Sequence, residues 1–519
     1  MLNKVRIDKK YNWHHLKYHQ NNIYVKTNIA NIEKISFFFK KQEKINLKIF
    51  KNFITTLDFY FGIILENKKN VFCAVDNVRS QPIFFNNKGY VSNSAKLLKN
   101  DNFVNKRSVL EFKMLGYVSG NETLINNVYQ INSGNIILWK KKNNIKKKIK
   151  YFEYLPNYSK KQSYNKFELI INKIFKKIIK RANGKTIIVF LSGGLDSRFI
   201  LGKLVELKYN KILAVSYGIK RNHESIKAKE ISQLLNVPWK FYEHDEKKIN
   251  FLYKSYERKN YSDYSSNLSS TPSYLEFETL SKMNKENFLK NKIVINGQSG
   301  DYISGSHLTK FINYSKKSKI KNLYEYIIKK HYSLWKNLVN KKNISFIKKK
   351  INKSFGKLVI KKKNLKMLYE YWEWKERQSK LVVNGNKAYD FFNVEWEMPL
   401  WDKEIMKFFE KIPLKDKINQ NFYINFLKKK NYRNIFNDLR SEPEVWVGIY
   451  KIIKFVGFFL NFIPVKDIKE KFYKRMYYYS NDKNQYGMLG KEIFLKNYKK
   501  SRNTVSFFSK YYLEENNLK

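Results

Sequence analysis

The pattern of apolar and polar positions divides the chain into a strand-rich first region and a helix-rich second region. Between residues 53 and 98, short apolar runs alternate with turn signals, which is typical of antiparallel strands. The predicted strands are 60–65, 71–75 and 82–85, and a hairpin joins 135–140 to 147–151 through the lysine-rich turn 141–146. The first region is therefore expected to be an antiparallel sheet.

The pattern changes after Pro156, where the polar stretch 157–165 precedes a helical periodicity at 167–179. We place a domain boundary there, between 1–156 and 157–519. Beyond it, strands predicted at 186–191, 212–217, 239–242 and 293–295 alternate with helices at 198–207 and 225–235. This order predicts an α/β doubly wound parallel sheet. After Asp301 the chain is mostly aromatic and lysine-rich helix, expected to pack as an annex around the site.

Composition narrows the function classes. A chain of 519 residues that is 43% hydrophobic can bury about two or three domain cores, so disorder of the whole is excluded. The net charge of +59 would suggest a phosphate-rich partner, yet only 12 of the 103 basic residues are Arg, and Lys gives no bidentate phosphate recognition. We therefore expect a surface-wide lysine bias and no specific nucleic acid partner; a functional anion-binding surface is the alternative.

The single cysteine, Cys73, excludes a disulfide framework and a cysteine-rich metal site, and its place in a predicted strand indicates a core residue. Residues 1–20 carry charges throughout and do not resemble a signal peptide, so a cytoplasmic location is expected. The apolar stretch 455–465 is too short to cross a membrane. It predicts a core helix or, alternatively, association with a membrane surface.

Residues 187–198 form an apolar strand that enters a Ser-Gly-Gly turn and then a helix. Glycines in such a turn permit unusual dihedral angles and close approach of a phosphate. The helix N-terminus and the hydroxyls of Ser192 and Ser197 would hold pyrophosphate, and Asp196 would bind an intervening Mg²⁺. The alternative is an ordinary strand–helix turn in which Asp196 only caps the helix. Neither the dinucleotide glycine motif nor the kinase-type Gly-Lys-Ser/Thr loop is present.

The sequence Ser-Gly-Gly-Leu-Asp-Ser after an apolar strand resembles the signature of the ATP pyrophosphatases, and within them the asparagine synthetase branch. Three further stretches resemble that branch, namely 294–302, 395–402 and 121–134, and residues 57–98 are similar to its N-terminal region. The resemblance runs from about 57 to 410. It implies a degenerate glutaminase-like α+β antiparallel domain at 1–156 and an ATP pyrophosphatase domain with a helical C-terminal region at 157–519.

The resemblance also implies cofactors and site residues. Asp196 and Asp301 match the family's magnesium ligands, and Tyr217 matches a neighbour of the adenine. The ATP-contacting positions correspond to Leu191, Ser192, Gly193, Gly194, Asp196, Ser197, Asn296 and Gly297. ATP and Mg²⁺ are therefore the expected cofactors.

The chain departs from the family pattern at several positions. Gln298 replaces a Glu expected to steer or deprotonate the incoming ammonia, Tyr302 replaces the next Glu, and Glu397 replaces an Arg. No convincing match exists for the late catalytic lysine. We take Arg440 as its stand-in, with Arg377 and Lys380 as alternatives for binding phosphate.

Glutamine-hydrolysing members begin with Cys after the initiator Met, because the free amine activates the thiol. This chain begins Met1-Leu2-Asn3, and the stretches that hold glutamine are missing. The resemblance thus implies a silent glutaminase domain kept for structure. Ammonia or an amine would come from solution or from a separate glutaminase.

The expected function is an ATP-dependent amide-forming ligase that adenylates a carboxylate. The favoured acceptor is a uronic acid of a surface-polysaccharide precursor, because the stretch from Trp372 to Asp402 resembles a subgroup with that role. Six aromatic residues could stack on a sugar ring: Tyr371, Trp372, Trp374, Phe391, Phe392 and Trp396. The alternatives are asparagine synthesis, tRNA modification and an inactive scaffold.

Overall fold

The structure, a computed structural model, describes residues 3–99, 103–218, 220, 222–315, 319–439 and 500–518, together with 455, 456, 459, 493, 496 and 497. The strands β1 to β15 are Val5–Arg6, His14–Tyr18, Asn21–Lys26, Gly62–Glu66, Asn70–Val75, Phe84–Asn86, Val91–Ser92, Val128–Gln130, Asn135–Lys140, Ile145–Lys150, Thr186–Phe190, Ile212–Gly218, Trp239–Glu243, Lys292–Ile295 and Glu395–Glu397.

The α-helices, numbered α1 to α19 in chain order, are Ile32–Lys40, Leu47–Thr56, Lys106–Leu115, Tyr164–Ala182, Leu195–Glu206, His223–Leu235, Glu246–Lys254, Tyr256–Ser266, Phe277–Lys285, Gly300–Ser304, Ser306–Tyr314, Ile320–His331, Lys341–Phe355, Leu365–Trp372, Lys387–Phe391, Lys403–Lys411, Leu414–Lys417, Asn421–Lys430 and Thr504–Glu515. A π-helix, Glu373–Val382, continues α14.

The N-terminal region contains two sheets. One has six strands in the order β10-β9-β5-β4-β3-β2, all antiparallel, and the other has four in the order β1-β7-β6-β8. Because side chains alternate along a strand, Ile63 of β4 packs toward α1 and α2, whereas Ile64 and Cys73 pack in the core shared with the smaller sheet. The predicted antiparallel sheet is confirmed, and Cys73 is a core residue with 1% exposure. Strands β2 and β3 were not predicted.

The second region contains a parallel sheet in the order β13-β12-β11-β14-β15. Strand β11 is central, and its Ile187 pairs with Ile212 of β12 on one side and Ile293 of β14 on the other. The helices that connect and surround these strands confirm the α/β doubly wound fold with a helical annex. The carboxyl ends of β11, β12 and β14 consequently lie on one edge of the sheet. The domain boundary after Pro156 stays a prediction.

Three glutamates on α14 and the π-helix lie entirely inside the protein. Glu370, Glu373 and Glu376 have no exposed surface. A buried carboxylate requires a cation or hydrogen-bond donors. The Nζ of Lys417, on α17, lies 2.8 Å from Glu370 Oε1, and Nζ of Lys380 lies 2.6 Å from Glu376 Oε2.

Glu376 also joins the two regions of the chain. Its Oε2 accepts a hydrogen bond of 2.9 Å from the backbone amide of Gly120, in the N-terminal region. Lys380, which pairs with Glu376, donates to the carbonyl oxygen of the same Gly120. The N-terminal region therefore contacts the π-helix through a buried ion pair.

The aromatic residues proposed as a sugar platform lie in the core. Exposure is 7% or less for Tyr371, Trp372, Trp374, Phe392 and Trp396. Phe391 is partly buried and packs edge-on against Tyr261 and Tyr264. They form part of the hydrophobic core around the parallel sheet, so the expected stacking surface is not present.

Within the described ranges, no helix is long and apolar enough to cross a membrane. The stretch 455–465, predicted as a core or membrane-surface helix, lies outside the described residues except for three positions.

The pairing of Glu370 with Lys417 predicts a large effect on stability. Lys417→Met should lower the free energy of unfolding by about 3–5 kcal/mol, because it leaves a buried carboxylate without its cation. Adding Glu370→Gln should restore most of the loss, since the remaining pair is neutral. Urea unfolding followed by tryptophan fluorescence measures both. The exposed Lys411→Met is the matched control, and an equal midpoint for Lys411→Met and Lys417→Met would contradict the ion-pair account.

Candidate active site

Two loops at the carboxyl edge of the parallel sheet bring two acidic residues together. The first loop follows β11 and leads into α5, whose first turn contains Asp196. The second follows β14, the neighbouring strand, and leads into α10, whose first turn contains Asp301. The backbone amide of Asp301 donates a 3.1 Å hydrogen bond to Asp196 Oδ2. Asp196 and Asp301 are 105 positions apart in the sequence, and the topology of the sheet brings them together.

Two glycines permit this close approach. A Cβ atom on Gly300 would lie 2.2 Å from Asp196 Oδ1, and one on Gly297 would lie 2.7 Å from the Cβ of Asp196. Both distances are shorter than van der Waals contact allows. Glycine at these positions is therefore a requirement of packing against Asp196.

Each oxygen of the two carboxylates accepts one hydrogen bond. Asp196 Oδ1 accepts from the Tyr423 hydroxyl at 3.0 Å, and Oδ2 accepts from the Asp301 amide. Asp301 Oδ1 accepts from the Tyr302 amide at 2.7 Å, and Oδ2 lies 3.1 Å from His307 Nε2. A carboxylate oxygen has two lone pairs, so both groups are oriented and each oxygen keeps a lone pair for a further ligand.

The two carboxyl groups differ in protonation. Burial, followed by the charge of Asp301, raises the pKa of Asp196 to about 7. Burial also opposes ionisation of Asp301, but the hydrogen bond and the charge of His307 outweigh it and lower that pKa. The negative charge on one of two neighbouring carboxyl groups opposes ionisation of the other, and a cation between them would relieve this repulsion.

His307, on α11, connects the acidic pair to the buried Glu373. Nδ1 of His307 lies 2.5 Å from Glu373 Oε1, and Lys330 Nζ lies 3.7 Å from the same oxygen. Burial would lower the pKa of His307, but the charge of Glu373 and its bonds to Glu373 and Asp301 raise it to about 9. The imidazole therefore carries a positive charge at neutral pH.

The acidic pair fits a magnesium ion shared with a nucleotide. Mg²⁺ prefers oxygen ligands and is usually held by one or two carboxylates together with substrate phosphates. In the part of the chain that the structure describes, no group of three or more His, Cys, Asp or Glu side chains could hold a metal ion. Asp196 and Asp301, which are neighbours at the edge of the sheet, would be the protein ligands of such an ion.

The loop after β11 differs from expectation in its backbone. Neither Gly193 nor Gly194 has a positive φ, and Gly194 has the ordinary extended angles of φ −76° and ψ 159°. The predicted unusual dihedral angles are therefore wrong, and what the lack of a side chain at Gly194 spares is a contact of 3.2 Å between a Cβ and Ser192 Oγ. Ser192 Oγ accepts from the Gly194 amide at 3.1 Å, and Ser197 Oγ accepts from the Ser192 amide at 3.2 Å.

Leu191 has 3% exposure, and its amide donates to the Val215 carbonyl at 2.8 Å. Its side chain therefore belongs to the core, and only its backbone lies at the loop.

Arg198, which the sequence analysis did not single out, anchors this loop. Its buried guanidinium donates to the carbonyl oxygens of Gly193 and, at 2.6 Å, of Asp438. The segment that leads to position 440 is therefore held beside the loop. Arg440 itself, predicted as a catalytic cation, lies outside the described residues.

The amide side chains after β14 form a network. Asn296 Nδ2 donates to Asn386 Oδ1 at 2.6 Å, and Asn386 Nδ2 donates to Gln298 Oε1 at 2.9 Å. The backbone amide of Gln298 donates to Asn296 Oδ1 at 3.1 Å. Gln298 thus lies in the loop between β14 and Asp301, with its carbonyl oxygen held by Asn386, a residue that sequence reasoning missed.

Tyr217 lies at the end of β12, next to the β11 loop. Its ring stacks on His244 with centroids 5.3 Å apart and meets Phe190, the last residue of β11, edge-on at 5.8 Å. Tyr217 is half-buried. A flat aromatic group therefore adjoins the loop on the side where an adenine neighbour was expected.

The other departures from the family pattern are explained by packing. Tyr302 is fully buried, and its hydroxyl donates to the Glu370 carbonyl at 2.6 Å. Glu397 pairs with Arg181 at 2.8 Å, so the charge swap at 397 is compensated.

Lys380 has 1% exposure and is bound to Glu376, which contradicts its role as a phosphate ligand. Arg377 is half-buried.

Comparison with protein-family models gives one match. The model described as asparagine synthase matches residues 182–439, a segment that contains both loops and both acidic residues. A comparison with curated proteins finds no match.

Comparison with solved structures gives distant likenesses. Glutamine phosphoribosylpyrophosphate amidotransferase from B. subtilis, complexed with ADP and GMP, is 10% identical with a TM-score of 0.17, over 57% of this chain and 59% of that one. A structure titled the allosteric regulatory enzyme of purine biosynthesis is 12% identical with a TM-score of 0.18, over 43% of this chain and 44% of that one. The chain thus spans less than two thirds of both, and scores this low support no argument.

The packing of Gly300 against Asp196 can be tested by adding a methyl group. Gly300→Ala should weaken Mg²⁺-dependent ATP binding by about tenfold or more, a loss usual for groups that orient a metal ligand. Gly385→Ala is the control, because its Cβ would meet no atom closer than 3.4 Å. Titration with a fluorescent ATP analogue measures both. Equal affinities in the two variants would show that the approach of Gly300 to Asp196 is not needed.

Proposed function

Residues 182–439 are an asparagine synthase domain, and on that premise we propose that the chain uses ATP to adenylate a carboxylate and transfers ammonia or an amine to it. The products are an amide, AMP and pyrophosphate. The observation that carries the proposal is the hydrogen-bonded pair of Asp196 and Asp301 at the carboxyl ends of neighbouring strands. A nucleotide phosphate chain bound there would meet both the metal ligands and the N-terminus of α5.

Each group of the loop after β11 has a role in this proposal. The free amides at the N-terminus of α5 and the hydroxyls of Ser192 and Ser197 hold the departing pyrophosphate, assisted by the positive end of the α5 dipole. Asp196 and Asp301 hold Mg²⁺, which when bound neutralises charge on the phosphates. Arg198 keeps the loop in place through the Gly193 carbonyl.

Tyr217 provides a flat surface beside the adenine, and Asn296 and Gly297 complete the nucleotide contacts. Arg440 stays our candidate for the cation that balances the charge on pyrophosphate. Its support is that Arg198 binds the carbonyl oxygen of Asp438, two residues before it.

Gln298 positions the nitrogen nucleophile rather than deprotonating it. A glutamine side chain has no basic site, and the Gln298 carbonyl oxygen already accepts from Asn386. Its amide nitrogen lies on the side of Gly385, 3.4 Å from where a Cβ of that residue would be. An amine approaching the acyl group would therefore meet a neutral hydrogen-bonding group.

We propose a sugar acid, a uronic acid of a surface-polysaccharide precursor, as the acceptor. Its support is the resemblance of residues 372–402 to a subgroup with that role; the buried aromatic residues give it none. Free aspartate is disfavoured because Gln298 and the buried Tyr302 replace the two acidic residues of the amide-forming pattern.

Exchange of labelled pyrophosphate into ATP tests the proposal. Exchange should require Mg²⁺ and a carboxylate. It should be faster with a uronic acid than with aspartate or RNA. Asp196→Asn and Asp301→Asn should each slow the exchange by at least about 100-fold. Losing a group that only orients a metal ligand already lowers activity by up to about 100-fold, and these variants alter the ligands themselves. The exposed Glu33→Gln, on α1, is the control. Exchange only with aspartate or RNA would reject the sugar acid, and none with any acceptor would reject adenylation.

The nitrogen source gives a second prediction. Cys73, the only cysteine in the chain, is buried in β5, and burial raises the pKa of its thiol, so it cannot act as a glutaminase nucleophile. Given ATP, Mg²⁺ and acceptor, the purified chain should form amide with ammonium and none with glutamine. Chromatography of amide and glutamate follows both reactions. Glutamate released in step with amide would contradict a silent N-terminal region.

A further inference from the structure

The imidazole of His307 lies between the acidic pair and the protein core. Its Nε2 is 3.1 Å from Asp301 Oδ2 and its Nδ1 is 2.5 Å from Glu373 Oε1. Carboxylates only accept hydrogen bonds, so both ring nitrogens must donate. The ring thus joins a solvent-facing carboxylate to one with no exposed surface.

Asp301 needs such a connection, because its surroundings constrain it weakly. Its side chain is 54% exposed. It lies in the five-residue helix α10, which is flanked by left-handed residues, Ser299 with φ 65° and Gly305 with φ 115°. The other hydrogen bond to its carboxylate comes from the amide of Tyr302, the next residue along the chain. Among the described residues, His307 is therefore the contact that ties this carboxylate to another helix.

Glu373 is a rigid anchor for the ring. It begins the π-helix, and its neighbours Glu370 and Glu376 are each fixed in the core by a lysine. Lys330, 3.7 Å away on α12, adds a second cation to Glu373. A residue hydrogen-bonded to Glu373 is consequently held by the core of the helical annex.

We propose that His307 is a positioning residue for the metal: anchored on Glu373, it holds the Asp301 carboxylate in the orientation from which that carboxylate binds Mg²⁺. The inference rests on the proposed function, since it takes Asp196 and Asp301 as the metal ligands. It assigns His307 no contact with substrate. Groups that orient metal ligands in this way usually contribute about 10–100-fold to metal affinity.

The test is direct binding of Mn²⁺, as a spectroscopic substitute for Mg²⁺, to the full chain with a non-hydrolysable ATP analogue. Electron paramagnetic resonance gives the dissociation constant without any turnover. His307→Phe should raise that constant by about 10–100-fold. In His307→Gln the amide nitrogen occupies roughly the place of Nε2 and can still donate to Asp301 but no longer to Glu373, so affinity should lie between those of wild type and His307→Phe. In His307→Asn the nitrogen takes the place of Nδ1, and affinity should fall as in His307→Phe.

Melting temperatures measured without metal separate this role from a structural one. His307→Phe also removes one of the two cations beside Glu373, which affects stability. The deciding comparison is therefore between His307→Gln and His307→Asn, which are both polar and smaller than the imidazole ring. Equal Mn²⁺ affinity in these two variants, or unchanged affinity in His307→Phe, would overturn the proposal. His15→Gln, an exposed position on β2, is the control. A wild-type chain that binds no Mn²⁺ with the analogue would instead overturn the proposed function, and the positioning role with it.

Discussion

The burial of three carboxylates on one helical segment is the constraint on which the second region depends. Glu370, Glu373 and Glu376 lie on successive turns of α14 and the π-helix with no exposure to water. Each requires a positive partner in the low-dielectric interior. The partners come from α17, from α11 and α12, and from the π-helix itself. Satisfying them fixes the annex around the parallel sheet, places a histidine at the acidic pair and binds the N-terminal region through Gly120.

This arrangement explains how the carboxyl groups of Asp196 and Asp301 can lie side by side. Asp196 is half-buried and keeps its proton more readily than an ordinary aspartate, because desolvation raises its pKa, whereas Asp301 faces a cationic imidazole that lowers its pKa. The repulsion between the two groups therefore acts unequally on them: the pKa of Asp196 is raised, whereas that of Asp301 is lowered. Tyr423 and His307 each orient one oxygen, and the remaining lone pairs stay available. In the proposed function, this preorganises the site for Mg²⁺ and for the phosphates of the nucleotide.

Local sequence patterns predicted much of the fold and the two loops, but not the groups that orient them. The apolar strand before Ser192 and the alternation of strands and helices are local signals, and β11, β12, β13 and β14 lie where they indicated. His307 and Glu373 are 66 residues apart, and Tyr423 is 227 residues from Asp196. Such pairs arise from tertiary packing and leave no mark in a local pattern. For Gly193 and Gly194 the composition of the turn suggested unusual dihedral angles, yet neither glycine has a positive φ and Gly194 is in the ordinary extended conformation.

The central claim is that the chain joins a carboxylate oxygen to the α-phosphorus of ATP. The most direct measurement is the fate of ¹⁸O in an acceptor whose carboxylate oxygens are labelled, followed by mass spectrometry of the products after amide formation with ammonium. An acyl-adenylate releases one of those oxygens with AMP, so our account predicts one ¹⁸O in AMP and none in pyrophosphate. Label in inorganic phosphate, or AMP without label while amide accumulates, would contradict it.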